Sequence, residues 1–217
     1  MKRILTIILA CMLMAVPIGV SAEGTVDYVS EIGKYGIIKG DPDGSMRLSD
    51  NLSRGEAVTL LVRMYGFIPE TSIAAPANEF SDMENHWAVN AVMIAKHLGI
   101  TEANNSDVFN PDESINSEDF IKMTVLLLGY EEAVKQKGGE NTAYLLQASQ
   151  LGITKGVTMA TGRYVKRSDA VRILYNCLDI PVMAQTSFSV TGENTYTILN
   201  GKNGTEYRSI RTTLQQR

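Results

Sequence analysis

Residues 52–64 read Leu-Ser-Arg-Gly-Glu-Ala-Val-Thr-Leu-Leu-Val-Arg-Met, and this stretch decides the fold. Ser53 and Glu56 have the spacing of a capping box, in which the cap hydroxyl takes the amide three residues on and the glutamate reaches back to the cap amide. After them Ala57, Leu60, Leu61 and Met64 follow i, i+3, i+4, i+7 spacing, one face of an α-helix. The pattern is written twice more. Asn116-Ser117-Glu118-Asp119 leads into Phe120, Met123, Thr124 and Leu127, and Lys166-Arg167-Ser168-Asp169 leads into Ala170, Ile173, Leu174 and Cys177.

Upstream of each start lies a Gly-Ile pair that closes an amphipathic first helix. These helices are predicted over 26–35 before Gly36-Ile37, 86–98 before Gly99-Ile100, and 141–151 before Gly152-Ile153. Glycine takes the left-handed position just past a helix end. Gly36 to Arg54 and Gly99 to Ser117 each span 18 positions, whereas Gly152 to Arg167 spans 15. The loops carry Met46, Phe109 and Tyr164, expected to pack beneath them, and short β pairings there are only weakly signalled. A period of roughly 50 residues marks one helix-loop-helix unit used three times. No single unit can bury its stripe alone, so the copies pack on each other, with the second helices around a shared centre.

Pro69 and Pro76 make 68–78 an ordered surface linker, and Gly138-Gly139 makes 131–140 a flexible one. After Pro181 the pattern alternates as strands over 188–190 and 196–199, with a turn at 200–204 and a further strand over 207–214. This tail reads as the start or remnant of another domain. At the other end, Lys2 and Arg3, an apolar run to Val20 and the small residues Ser21-Ala22 read as a secretory signal over 1–22. A membrane anchor is the rival, disfavoured by the short run and Pro17. Cys11 lies inside the apolar run rather than at its end, which speaks against a lipoprotein.

Removing the signal takes Lys2 and Arg3 away and moves the formal charge from −4 to −6, which argues against nucleic acid as partner. Only Cys177 then remains, so no internal disulfide forms. It aligns with Met64 and Leu127 and reads as a buried thiol. A catalytic thiol would need a nearby histidine, and His86 and His97 both lie in the second copy. Arg54 stands at the first position of its helix. Free amides and the positive helix end facing the same space would suit a carboxylate or phosphate. The alternative is a solvated arginine beside an ordinary cap.

Phe80-Ser81-Asp82-Met83-Glu84-Asn85-His86-Trp87-Ala88, then Gly99-Ile100 and Phe109-Asn110-Pro111, resembles the S-layer homology (SLH) module. So does Gly36-Ile37-Ile38-Lys39-Gly40-Asp41-Pro42-Asp43-Gly44 running into Leu52-Ser53-Arg54-Gly55-Glu56, which is similar to the family's Gly-Ile-x-x-Gly, Asp-Gly and Thr-Arg-Ala-Glu signatures. The third copy is recognised by Gly152-Ile153-Thr154-Lys155-Gly156 and Lys166 to Asp169. The resemblance covers about 25–182. It implies three helix-loop-helix repeats about a pseudo-threefold axis; with the alternating tail, the expected fold is mainly α with a short β-rich C-terminal tail. The expected division is a signal over 1–22, repeats over 23–67, 78–130 and 131–182, and the tail over 183–217.

The resemblance further implies noncovalent anchoring of an exported bacterial protein, in the cell wall or S-layer, to a secondary cell-wall polysaccharide that often bears a pyruvate ketal. The anionic sugar would meet the signature arginine in grooves between copies. That role calls for no cofactor, no metal, no catalysis and no stable membrane insertion after signal cleavage; self-association stays open. Arg54 and Arg167 match the signature arginine, with Ser53 and Glu56 as supporting cap. Lys166 weakens its cap but adds positive charge. Ser117, beside Glu118 and Asp119, should repel an anion, so that pocket is expected to be dead. Trp87 lies 12 positions before Gly99, and the same step reaches Gly24 and Glu140 in the other copies. Trp87 either stacks on a sugar or wedges the helix into the core. Asp82 either orients ligand hydroxyls or caps the following helix. His86 reads as a polar helix-start residue, and His97 complements a helix dipole. Two rival functions stand beside this one. Asp41-Pro42-Asp43-Gly44 suggests a calcium-dependent docking module, although Gly44 follows the second aspartate too soon for an EF-hand loop. A wall-associated enzyme fragment is the other, with no paired-carboxylate or nucleophile motif to carry it.

Overall fold

The computed structural model describes residues 27–71, 76–101, 107–187, 195–198 and 208–216. The signal reading of 1–22, the strand at 188–190 and the turn at 200–204 lie outside them. In chain order the elements are α1 (Tyr28–Lys34), α2 (Arg54–Tyr65), α3 (Val89–His97), α4 (Ser117–Leu127), α5 (Glu131–Lys135), α6 (Asn141–Gln150), α7 (Arg167–Cys177), strands β1 (Met183–Ser187) and β2 (Thr195–Ile198), and α8 (Ile210–Leu214). The architecture is mainly helical, with one small antiparallel sheet of β1 and β2.

The predicted second helices begin where their caps place them. In α2 both halves of the capping box form: Ser53 accepts from the Glu56 amide, and Glu56 accepts from the Ser53 amide. Asn116 caps α4 through the Asp119 amide, while Lys166 gives α7 no side-chain cap. The first helices are shorter than predicted. Asp27 caps α1 through the amides of Val29 and Ser30, and α3 starts only at Val89. Gly36, Gly99 and Gly152 hold the expected left-handed conformation, with φ of +66°, +67° and +77°.

All twelve stripe residues are buried, but their main partners differ from the expected ones. Helix α2 packs on α3, α4 on α6, and α7 on α1, so each second helix pairs with the first helix of the next copy. The second helices meet less extensively, α2 touching α4. Their starts instead join through the chain just ahead of them. Leu52 N donates to Val165 O (2.7 Å), Val165 N to Ile115 O (3.0 Å), and Ile115 N to Leu52 O (2.9 Å). These three residues hold the same place in the three copies, and they are buried. Around them run three matching bridges, Asn51 with Lys166, Ser114 with Ser53, and Tyr164 with Asn116. A closed cycle of equivalent bonds is a pseudo-threefold axis written in backbone hydrogen bonds, and it satisfies amides that would otherwise be buried unpaired.

Beneath the loops Phe109 is buried and Met46 partly so, but Tyr164 is 53% exposed. In that shorter third loop Val165 turns inward and forms the central bond. Extended backbone alternates sides, so Tyr164 must point outward. The 131–140 linker contains α5, anchored by buried Val134 and followed by Gly138 and Gly139 at positive φ. Of the 207–214 strand, residues 210–214 form helix α8 instead, opened by a Ser209/Thr212 capping box. The tail folds back onto the repeats: Met183 N donates to Leu128 O, Val182 N to Arg208 O, and Arg211 N to Leu178 O. Cys177 lies in the core, where burial pushes its thiol well above the usual range.

Gly129 lets the tail in. Its φ is +82°, and a β-carbon there would stand 2.1 Å from the Met183 carbonyl oxygen. Gly129→Ala should therefore cost about 2–4 kcal/mol, from left-handed strain plus displaced backbone. A urea midpoint within error of the parent would contradict this packing.

Candidate functional site

The helix starts are joints rather than open anion sockets. Arg54 N donates to Glu113 O and Gly55 N to Pro111 O, while Arg167 N donates to Asp50 O and Ser168 N to Leu48 O. The amides that sequence reasoning left free thus hold the neighbouring copy's loop, because a buried amide must find an acceptor. The side chains follow the same scheme. Arg54 donates through Nε to Phe109 O (3.0 Å), lies 4.9 Å over the Phe109 ring, and has Asp119 at 3.6 Å. Arg167 donates through Nε to Met46 O (3.0 Å) and through Nη1 to Glu56 Oε1 (3.0 Å). In the second copy Ser117 Oγ donates to Arg163 O, and Glu118 accepts from Gly162 N. There the carboxylate fastens the third loop.

Arg54 and Arg167 line different cavities. Arg54 borders a small one of about 90 Å³ with Ile100, Thr101, Asp119, Lys122, Met123 and Leu126. Arg167 borders a groove of about 360 Å³ where the third copy meets the first. Its other charged walls are Lys39, Asp41, Arg47, Glu56 and Arg63, and Trp87 from the second copy completes it. The two cavities are pseudo-symmetry mates. Arg167 corresponds to Arg54, Glu56 to Asp119, Thr59 to Lys122, Leu60 to Met123 and Arg63 to Leu126. Only the groove has Trp87, since the same step in the third copy reaches Glu140. Trp87 is 61% exposed, so it does not wedge its helix into the core.

Glu56 organises the groove. One carboxylate oxygen receives the Ser53 amide, and the other receives Arg47 (2.9 Å) and Arg167 (3.0 Å). Arg47 also pairs with Asp41 at 2.7 Å. It holds φ +45°, a left-handed value that costs a non-glycine residue roughly 1–2 kcal/mol. At the matching place in the second loop stands Asn110, φ +57°, a residue that tolerates this conformation better. An arginine kept there by two close carboxylates marks the groove, and sequence reasoning missed it; the alignment with Asn110 was the available signal.

Lys39 and Arg63 share Glu70, which sits on the linker after α2. Burial works to raise the Glu70 carboxyl, but a backbone hydrogen bond and those from Arg63 and Lys39 outweigh it and hold it at about 2. A depressed carboxyl stabilises the fold above its unfolded value of 4.5, and that contribution fades as pH falls toward 2. The difference in urea midpoint between the parent and Glu70→Gln should therefore shrink between about pH 5 and pH 2. A difference that stays constant over that window would exclude the pairing.

The remaining sequence candidates have other places. Asp82 accepts from Phe109 N (2.9 Å) and Asn110 N (2.6 Å), bracing the second loop rather than capping a helix. His86 Nδ1 accepts from Ala88 N near the start of α3. Lys166 is exposed. In the first loop Asp43 accepts from Ser45 N, and Gly44 N closes a turn on Asp41 O. Among the described residues no group of three or more His, Cys, Asp or Glu converges as a metal site, and no helix is long and apolar enough to cross a membrane.

Residues 19–58 and 79–121 match the S-layer homology domain. The chain is 25% identical over 157 residues to a cell surface protein of Thermoanaerobacter kivui, covering 71% of this chain and 20% of that protein. It is 26% identical over 161 residues to the middle cell wall protein of Brevibacillus brevis, covering 74% of this chain and 15% of that one. An uncharacterized cell wall amidase of Bacillus anthracis is 30% identical over 104 residues, 48% of this chain and 18% of its own length. The chain thus spans a fifth or less of these relatives. Its third helix-loop-helix copy lies outside the matched residues and closes the same hydrogen-bonded ring.

Proposed function

We propose that this chain, which carries S-layer homology modules, fastens an exported protein to the bacterial cell wall by holding an anionic wall polysaccharide in the groove between its third and first repeats. One observation carries the reading: an exposed indole, Trp87, stands over a groove walled by Lys39, Arg47, Arg63 and Arg167. An indole face suits the C–H face of a sugar ring, and guanidinium groups suit a carboxylate such as a pyruvate ketal. Arg167 shapes the wall while bound to Glu56. Lys39 and Arg63 hold the surface carboxylate of Glu70, and a ligand carboxylate competes for the same two cations. Arg54, with Lys122, lines the smaller second cavity, where no tryptophan stands.

Support for the anchoring role comes from the matched domain and from the cell-surface and cell-wall names of the relatives. The shared part of the amidase is under a fifth of that protein, which favours a common attachment module over a common activity. Binding to purified sacculi tests the reading. Removing acidic substituents from the polysaccharide should cut affinity, and EDTA should leave it unchanged. Moderate salt should weaken it only partly, because enclosed pairs are screened less than open ones. Full affinity for a neutral polymer would sink the carboxylate mechanism, and loss in EDTA would favour the calcium-dependent rival.

A further inference from the structure

We infer that Arg211, on the helix after the third repeat, holds the wall-binding groove in shape by stapling shut the seam on which the groove lies; this rests on the groove reading above. The ring has three junctions. Peptide linkers span two of them, over 68–78 and 131–140. The junction between the third copy and the first is made by contacts alone. There α1 lies on α7, with Tyr28 and Tyr175 rings 4.7 Å apart and the Arg172 guanidinium 3.8 Å from the Tyr28 ring centre. Helix α1 has seven residues and one buried side chain, Ile32. A helix that short does not persist unaided, so its place depends on what it touches.

Arg211 supplies a staple across this seam. Its Nη1 donates to Glu31 of α1 (2.6 Å) and to the Tyr35 hydroxyl (3.1 Å). Its Nε and Nη2 grip both oxygens of Asp179, just past α7, at 2.6 and 2.9 Å. The backbone aims it: Arg211 N donates to Leu178 O, and buried Ile210 and Leu214 seat α8. The groove opens on the same seam, with Arg167 on one side and Lys39, Asp41, Arg47, Glu56 and Arg63 on the other. Parting the seam would separate Arg167 from Glu56 and Met46 and dismantle one wall. Linkage works both ways, so a ligand that spans the seam must also hold α1 in place.

The test measures amide exchange and polysaccharide affinity on the whole chain, using polymer released from purified sacculi. In Arg211→Ala the α1 amides should exchange about tenfold faster and affinity should fall about fivefold, while α3, α4 and α6 exchange as in the parent. Adding polymer to the parent should slow exchange in α1. Should Arg211→Ala fail to fold, Glu31→Ala carries the test, since it removes the ion pair across the seam and keeps the contacts to Tyr35 and Asp179. Faster exchange in every helix would reduce Arg211 to general stability and overturn the inference. So would unchanged affinity in a variant whose α1 has loosened, or unchanged α1 exchange. Trp87→Ala separates the two readings. If it binds like the parent, the groove assignment fails and the seam inference falls with it. If it loses binding while Arg211→Ala keeps it, only the seam inference fails.

Discussion

Arg167→Ala is expected to lower the unfolding free energy by about 3 kcal/mol, the lower end of what breaking a buried ion pair costs. The Arg167 side chain is only 7% exposed and reaches from the third copy to Met46 O and Glu56 of the first. Removing it deprives Glu56 of one partner and leaves a void at the seam. The loss is not larger because Glu56 keeps Arg47 and its capping bond to Ser53. Arg167→Lys restores the charge but not the fork that serves both partners, so it should recover only part of the loss. Urea unfolding followed by circular dichroism measures both variants. A loss under about 1 kcal/mol for the alanine would mean the pair behaves as a surface contact. The consequence for function is practical: weaker wall binding by this variant reports on ligand contact only where the variant is shown to be folded.

Trp87→Ala should have the opposite profile. The indole is exposed, so stability should stay within about 0.5 kcal/mol of the parent. Affinity for the wall polymer should fall by about 2 kcal/mol, roughly 30-fold, as for other tryptophan anchors in binding sites. Trp87→Phe should recover much of this by keeping an aromatic face. Sedimentation with sacculi, alongside thermal melts of the same samples, separates the two effects. Unchanged sedimentation would remove the residue on which the groove reading chiefly rests, and a large drop in melting temperature would return Trp87 to a structural role.

The candidate site was legible in pieces. Trp87, Arg167 and Glu56 stood out from the sequence, one in each copy, but nothing local said that they line one groove. Arg54 and Arg167 carry the same signature and sit in cavities of different size, with Leu126 in the place of Arg63 and Glu140 at the position matching Trp87. Arg47 escaped notice because the path of an irregular loop, not helical spacing, brings Asp41 and Glu56 onto it. Asp82 read as a ligand-orienting residue or a helix cap, yet its acceptor capacity serves two amides of a loop 27 and 28 positions away.

The sequence alone determined the local grammar. Stripes at helical spacing, the capping box at Ser53 and Glu56, and the stop glycines at 36, 99 and 152 each depend on neighbours within a few residues, so they can be read in order along the chain. Tertiary structure decided which helix each stripe meets. A stripe states how much apolar surface must be covered but not by what, since burial has no direction. Around the closed cycle of Leu52, Val165 and Ile115, the pairing is α2 with α3, α4 with α6 and α7 with α1. Only packing turns 210–214 into a helix, for Ile210 and Leu214 would serve a strand or a helix equally until the repeats offer them a surface. The groove arises last, where the ring's two ends meet: Arg47, Lys39 and Arg63 find their carboxylates within the first copy and its linker, but Arg167 finds Glu56, 111 positions away, only once the ring is closed.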